Sequence, residues 1–420
     1  MAHGHPTSPA GTVPRQTRRL RTIVRIFVAF AGIILALALA ELSLAVIYPT
    51  WDDFWQPDPV LGHAHIPGKT GVWRSSCFTT SVRLNAWGFR GSEWSREKPT
   101  GTTRVVVLGD SLVEGFQVPV EDTLTARLER KLNATSPQRG FEVLNLGVSS
   151  YGTGQNYLNL IHRGFAFEPD VVLLGFSITT DVREDSPVLD GRRDRPYVRV
   201  GPAGVIIRPF PYPPPHHAFK DKIRQLHLYR VFGMRLLTSP WARRILLPLG
   251  LAEPLSPELE AELRREDARR LPWDFTVYAK AYPPAWEEAW DIVSGLLGRV
   301  NSDIGSRGGR LIVFGVPAMV EVLDGADVEK QYPGFGAGYD VERPHRMLGD
   351  IARRHHFEYF SLQPVFRTAL GGGTKLEDLY LPCDAHLARL GHELIADALF
   401  ARLANRFVSP SGSIVRRAGQ

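Results

Sequence analysis

Residues 104–111 read RVVVLGDS, and this stretch decides the fold. Its apolar run is unbroken and stops at Gly109-Asp110. Strict alternation would mean a strand with one wet face. A short continuous run ending in a turn means a strand buried on both faces, as in a parallel sheet. Glu121-Asp122-Thr123 can then start a helix, along which Leu124, Leu128 and Leu132 recur every four residues. The alternation repeats. FEVLNLGV (141–148) is a second strand, followed by helical GQNYLNLIHRGFAF (154–167). PDVVLLGFSI (169–178), opened by a Pro-Asp turn, is a third, RLIVFGVPA (310–318) a fourth and HFEYFSL (356–362) a weaker fifth. The periodic LARLGHELIADALFARL (387–403) closes the pattern as a helix. Strand–helix alternation of this kind predicts an α/β fold, a parallel sheet with helices on both faces.

Toward the N-terminus, residues 26–40 read IFVAFAGIILALALA, and after Glu41 the chain stays apolar to Tyr48. Residues 26–48 match the roughly 20 residues that cross a bilayer as a helix. Arg15, Arg18, Arg19, Arg21 and Arg25 precede them. That asymmetry predicts a cytoplasmic basic tail (1–25) and an exported remainder, on the periplasmic or extracellular side of the cell membrane. Trp51, Phe54 and Trp55 follow at the far edge. Ala38-Leu39-Ala40 has the form of a signal-peptidase site, so a cleaved signal peptide stands as the alternative to a single-pass anchor. Arg18-Arg19 lacks the rest of a twin-arginine signal.

Residues 49–100, rich in Trp, Gly, Pro and Ser, read as an extended lead-in that packs on the main domain, 101–408. Between the third and fourth strands lies an insertion, about 185–284, too long for a βα connection. It holds PFPYPPPHH (209–217) and helical stretches around 223–237 and 255–269. A lid, a substrate platform and a bulky decoration are all open readings of it. Residues 409–420 form a C-terminal tail.

Lys and Arg total 50 against 44 Asp and Glu, and much of the excess sits in the N-terminal arginines. The remainder is close to balanced, which argues against nucleic acid as a partner. The two cysteines, Cys77 and Cys383, lie in no zinc-ligand spacing. They are either two buried thiols or one disulfide, the latter permitted outside the cytoplasm.

Ser111 falls beyond the carboxyl end of the first strand, where ligands bind in open parallel sheets. Its hydroxyl becomes a nucleophile only with a base to take the proton. Asp384-Ala385-His386, ahead of the last helix, supplies a carboxylate two residues from an imidazole, able to orient it toward a serine. Alone, each is a weak signal.

Together they carry a resemblance. VVVLGDSLVEGF resembles the first block of the SGNH/GDSL hydrolase family and LPCDAHLARLGHELIADAL its last. NLGVSSYGTGQ and LLGFSITTDVRED fall in order where the second and third belong, and NAWGFRGSEW resembles the segment before the first block in exported, membrane-anchored bacterial members. The resemblance covers residues 83–405 apart from the insertion. It implies a three-layer α/β/α, flavodoxin-like domain with Ser111 as nucleophile, His386 as general base and Asp384 as its partner. It also implies an oxyanion hole from the Ser111 N–H, a glycine N–H and an asparagine side chain. Here the glycine position is Ser150, which accepts φ > 0 less readily, and the asparagine position is Thr180, a donor on a shorter arm.

Other signals are weaker. His63/His65, His216/His217 and His355/His356 are pairs without a metal framework, and His392 reads as a packing residue of the last helix. GGGTK (371–375) lacks the Walker order, and no G-x-S-x-G is present. Trp273, Tyr278, Tyr282, Trp286 and Trp290 read as core rather than as a sugar platform. The expectation is cofactor- and metal-free hydrolysis of acyl esters, O-acetyl groups on cell-envelope glycans above all. The rivals are acyl transfer to envelope polysaccharide, with envelope-biosynthesis partners, and a catalytically inactive glycan-binding relative.

Overall fold

The computed structural model describes residues 15–47, 53–136, 140–212, 222–223, 226–233, 271–336 and 338–407. Its centre is a parallel sheet of β1 (Thr103–Leu108), β2 (Phe141–Asn145), β3 (Val171–Ser177), β4 (Arg310–Val316) and β5 (Glu358–Ser361). The spatial order is β2-β1-β3-β4-β5, with Val105 opposite both Val143 and Val171. The chain runs outward from β1 to β2, then crosses back to β3. That reversal opens a crevice beyond the carboxyl ends of β1 and β3.

Successive residues of these strands serve opposite layers, as a doubly buried sheet requires. Val106, Leu108, Val172, Leu174 and Val313 pack with helices Thr153–His162, Pro284–Gly305 and Arg343–His355. Val105, Val107, Leu173, Ile312 and Phe314 pack with helices Leu124–Thr135 and Arg389–Phe407. Leu124, Leu128 and Leu132 are all fully buried. The predicted elements thus fall on the predicted segments, with short 3-10 turns at Val120–Asp122 and Gly164–Phe167.

An exposed sheet edge is a template for unwanted pairing. At β2 side chains occupy it. Glu129 accepts the Val143 N–H at 2.7 Å, and Asn133 makes two bonds of 2.9 Å with the backbone of Phe141.

The lead-in forms two antiparallel hairpins, Trp55–Asp58 with Gly62–His65 and Thr70–Arg74 with Thr79–Arg83. Arg104 of β1 fastens its end. The buried guanidinium donates to the carbonyls of Ser95, Arg96 and Phe167 and pairs with Glu142 at 2.8 Å. Its five donors in a fixed fork suit a site crowded with carbonyls.

The chain divides into two compact units, Met1–Thr50 with His216–Glu253, and Trp51–Pro215 with Pro254–Gln420. In the first, one helix runs Arg15–Ile47, and its portion Arg21–Ile47 is long and apolar enough to cross a membrane. In the second, a ribbon of Tyr197–Gly201 and Gly204–Arg208 lies within the 185–284 interval. Tyr278 and Tyr282 of that interval, with Trp286 and Trp290 on the helix Pro284–Gly305 that follows, are core residues, as read from the sequence; the side chain of Trp273 lies outside the described residues. Of the helical stretch expected around 223–237 only 223 and 226–233 are described. The stretch 255–269, His216/His217 and the 409–420 tail lie outside the described residues.

Candidate active site

Ser111 opens a four-residue helical turn, Ser111–Glu114, directly after β1. Asp110 caps it, its Oδ1 accepting the Leu112 N–H at 2.9 Å, and Gly115 ends it at φ 69°. The turn lies close against the sheet because glycines make room for it. A Cβ on Gly109 would stand 2.4 Å from Val113 Cγ2, and one on Gly175 of β3 2.8 Å from the same methyl. A Cβ on Gly147, just past β2, would stand 2.9 Å from Val113 Cβ and 2.6 Å from the Glu114 nitrogen. Val113 therefore sits in a socket of three glycines on three adjacent strand paths.

The base arrives from the far end of the sequence. Residues 381–386 form a closed loop. Leu381 N–H donates to the His386 carbonyl at 2.7 Å, and Ala385 N–H donates to the Leu381 carbonyl at 3.0 Å. An isolated bridge between Tyr380 and Leu387 pins its ends. The Tyr380 hydroxyl donates to the Pro317 carbonyl at 2.7 Å, tying the loop to the end of β4. Ala385, at φ 60°, takes the left-handed region that alanine disfavours. This bend brings its two neighbours onto one side.

The structure brings the three predicted residues together. His386 Nε2 lies 2.8 Å from Ser111 Oγ, and His386 Nδ1 lies 3.3 Å from Asp384 Oδ2. The second contact is an ion-pair distance without good hydrogen-bond alignment, since Nδ1 has no aligned acceptor. The other carboxylate oxygen accepts the His386 N–H at 3.2 Å. Burial pulls the imidazole pKa down, but the Asp384 carboxylate beside Nδ1, with the Asp110 and Glu114 charges, leaves it above its ordinary value.

Ser150 stands at φ 62°, the conformation a glycine would take there. Among the described residues neither the Ser111 nor the Ser150 amide donates to a protein acceptor. Thr180 caps the turn Asp181–Glu184 after β3, and its Oγ1 is buried without a hydrogen-bond partner. Nearby, Ser177 donates to Asp110 Oδ2 at 2.7 Å and through its N–H to Asp181 Oδ2 at 3.0 Å.

A supporting layer had no local sequence signal. Glu114 is buried, and its Oε1 lies 2.6 Å from His65 Nε2 and accepts the Ser149 N–H at 3.0 Å, while Oε2 accepts the Ser149 hydroxyl. Arg90 donates to the Gly115 and Val118 carbonyls. Asn156 Oδ1 accepts the Gly109 N–H at 3.0 Å. His63 Nε2 lies 2.8 Å from the Ser149 carbonyl. The lead-in thus grips the nucleophile turn and the loop after β2. His392 is a packing residue, as expected. It is buried on helix Arg389–Phe407, and burial, aided by nearby Arg90, Arg127 and His386, pushes it down to about 3. Among the described residues no cluster could hold a metal ion.

Cys77 and Cys383 are joined as a disulfide, Cα atoms 5.8 Å apart, which decides between the two readings of the cysteines. Cys383 directly precedes Asp384, so the bond ties the lead-in to the base loop.

No family model matches the sequence, and no curated protein matches it. Among solved structures, the chain is similar to LAE5, an alpha/beta hydrolase enzyme from the metagenome of Lake Arreo, Spain. Identity is 14%, coverage 71% of this chain and 94% of that one, and the TM-score 0.37. Similarity to Axe2, an acetylxylan esterase from Geobacillus stearothermophilus, is 13% in identity over 72% and 94% of the two chains, with TM-score 0.37. A two-domain esterase active on acetylated mannans is 12% identical over 72% of this chain and 49% of its own, with TM-score 0.36. At such scores the likeness is loose, and the chemistry rests on the geometry above.

Replacing both cysteines, Cys77→Ser with Cys383→Ser, is expected to lower unfolding free energy by about 2–5 kcal/mol in urea titration. Hydrogen exchange over 381–386 should quicken in the same protein. Exchange in that loop as slow as in the native chain would show that the tether is not what orders it.

Proposed function

We propose that this chain is a membrane-anchored serine esterase of SGNH/GDSL type, cleaving acyl esters, O-acetyl groups on envelope glycans above all, outside the cytoplasm. The observation that carries the reading is the 2.8 Å approach of His386 Nε2 to Ser111 Oγ with Asp384 on the imidazole's other side. Ser111 Oγ attacks the acyl carbonyl as its proton passes to His386 Nε2. Collapse of the tetrahedral intermediate expels the sugar oxygen, which takes that proton and leaves an acyl-serine. Water, deprotonated by the same imidazole, then releases the carboxylic acid and restores Ser111. No step calls for a cofactor.

The Ser111 and Ser150 amides and the Thr180 hydroxyl are assigned to the carbonyl oxygen. The left-handed Ser150 and the unpartnered, buried Thr180 Oγ1 support that assignment. A buried hydroxyl without a partner costs about 1–3 kcal/mol, a penalty relieved when it meets an oxyanion. The apolar N-terminal helix and its preceding arginines support anchoring with the catalytic unit exported. The disulfide fits an oxidising compartment.

Three measurements test the reading on the full-length protein. Native protein is expected to hydrolyse p-nitrophenyl acetate and release acetate from acetylated polysaccharide, and Ser111→Ala to do neither. An acylated sugar formed on adding acceptor would mark transfer instead of hydrolysis. The base must be neutral, so the rate should rise with pH through the raised His386 pKa. Asp384→Asn removes the charge that favours imidazolium, so the acidic limb should move to lower pH while the plateau falls about 10,000-fold. Thr180→Val should cost about 100–1,000-fold in kcat. Because it deletes an unpaired buried hydroxyl, it should leave the Tm unchanged or higher; a rate equal to the native one would remove Thr180 from the oxyanion hole.

A further inference from the structure

Glu41 interrupts the apolar run near the end of helix Arg15–Ile47. A carboxylate in a membrane-crossing helix is costly unless held, and such groups find partners within the protein. Its partner is the inserted segment of the same compact unit. Oε1 accepts the His227 N–H at 2.6 Å and lies 2.9 Å from His227 Nδ1, and Oε2 accepts the Leu228 N–H at 2.9 Å. These amides open a short helical stretch in which Arg230 N–H donates to the Leu226 carbonyl at 3.0 Å. Glu41 does there what a capping carboxylate does, from a distant part of the chain.

The helix is covered along one stripe. Among its described side chains, 21–47, only Ala40, Glu41, Leu44 and Ala45 are partly buried. They are two pairs one helical turn apart, hence one face. The docked segment presents Leu226 and Phe232, 44% and 53% exposed, in the same short stretch as Arg230. In sequence, residues 222–252 contain Lys222, Arg224, Arg230, Arg235, Arg243 and Arg244 and no Asp or Glu. Large apolar side chains next to cations, without a single acid, are the chemistry of a segment lying in a negatively charged headgroup layer.

We propose that residues 226–233 are a membrane-interface element, docked on the anchor helix through Glu41, that sets Leu226 and Phe232 against the headgroup layer of anionic lipid. The insertion then serves as a second hold on the bilayer. This inference is independent of the esterase chemistry and stands or falls without it.

The test uses the full chain in nanodiscs of equimolar phosphatidylcholine and phosphatidylglycerol, with Phe232→Cys carrying a polarity-sensitive fluorophore. Blue-shifted emission, quenched by lipids with a nitroxide at the headgroup, is expected. Quenching should weaken in phosphatidylcholine alone and be lost in Glu41→Ala. Glu41→Gln, which keeps an acceptor oxygen, should retain part of it. A label at Ile34→Cys, quenched by chain-nitroxide lipids in every variant, reports that the helix itself stays inserted. Water-like emission at 232 in both lipids would overturn the proposal, as would quenching that survives Glu41→Ala. A blue shift without lipid quenching would overturn it too, since a protein surface would then cover Phe232.

Discussion

The site depends on one packing constraint, the seating of Val113 among Gly109, Gly147 and Gly175. A nucleophile at a strand end must stand clear of the sheet while its own helical turn stays close to it. Three strand paths without side chains at the contact allow both. Because interiors are close-packed, a single added methyl at any of the three positions would force the turn outward. Ser111 would move with it, and 2.8 Å to an imidazole leaves little tolerance. The Asp110 cap, the Ser177 bond to Asp110 and the Asn156 bond to Gly109 all act on a turn already placed by sterics.

The second requirement is that residues far apart in sequence meet and stay met. Ser111 and His386 are 275 residues apart, so their contact carries a large chain-closure entropy that one hydrogen bond cannot offset. The lead-in performs that work from both sides. His65 and Arg90 hold the nucleophile turn through Glu114 and the Gly115 carbonyl, while Cys77 holds the base loop through Cys383. A segment that looked in sequence like a passive approach to the domain is the brace between the two halves of the site.

This contrast explains what was legible in advance. The strands could be read because burial on both faces leaves continuous apolar runs, and helix Leu124–Thr135 because burial on one face leaves a leucine every fourth residue. Ser111, Asp384 and His386 stood out because short blocks, each weak alone, follow one another in a set order, and the structure brings their side chains together. His65 with Glu114, or Arg104 with its carbonyls, leave no such trace, since each is a polar residue satisfied by groups distant in the chain. The cysteine pairing stayed open for the same reason: 306 residues of separation carry no geometry. The insertion was delimited by strand spacing alone, and spacing does not show that the Tyr197–Gly201 ribbon, Tyr278 and Tyr282 belong to the main unit while residues 226–233 do not.

In the proposed reaction, the charged groups near Ser111 bear on the step in which it gives up its proton. On the imidazole side, Asp384, Asp110 and Glu114 favour a protonated His386, the state it must reach as Ser111 gives up its proton. On the other side, beside Thr180, a carboxylate would repel the developing oxyanion. Asp181 stands there, and burial, with Asp110, Glu184 and Asp185 as neighbours, raises its pKa well above the ordinary carboxyl value. That shift favours the neutral acid, so under the proposed assignment of Thr180 to the carbonyl oxygen Asp181 would exert less repulsion than its type suggests.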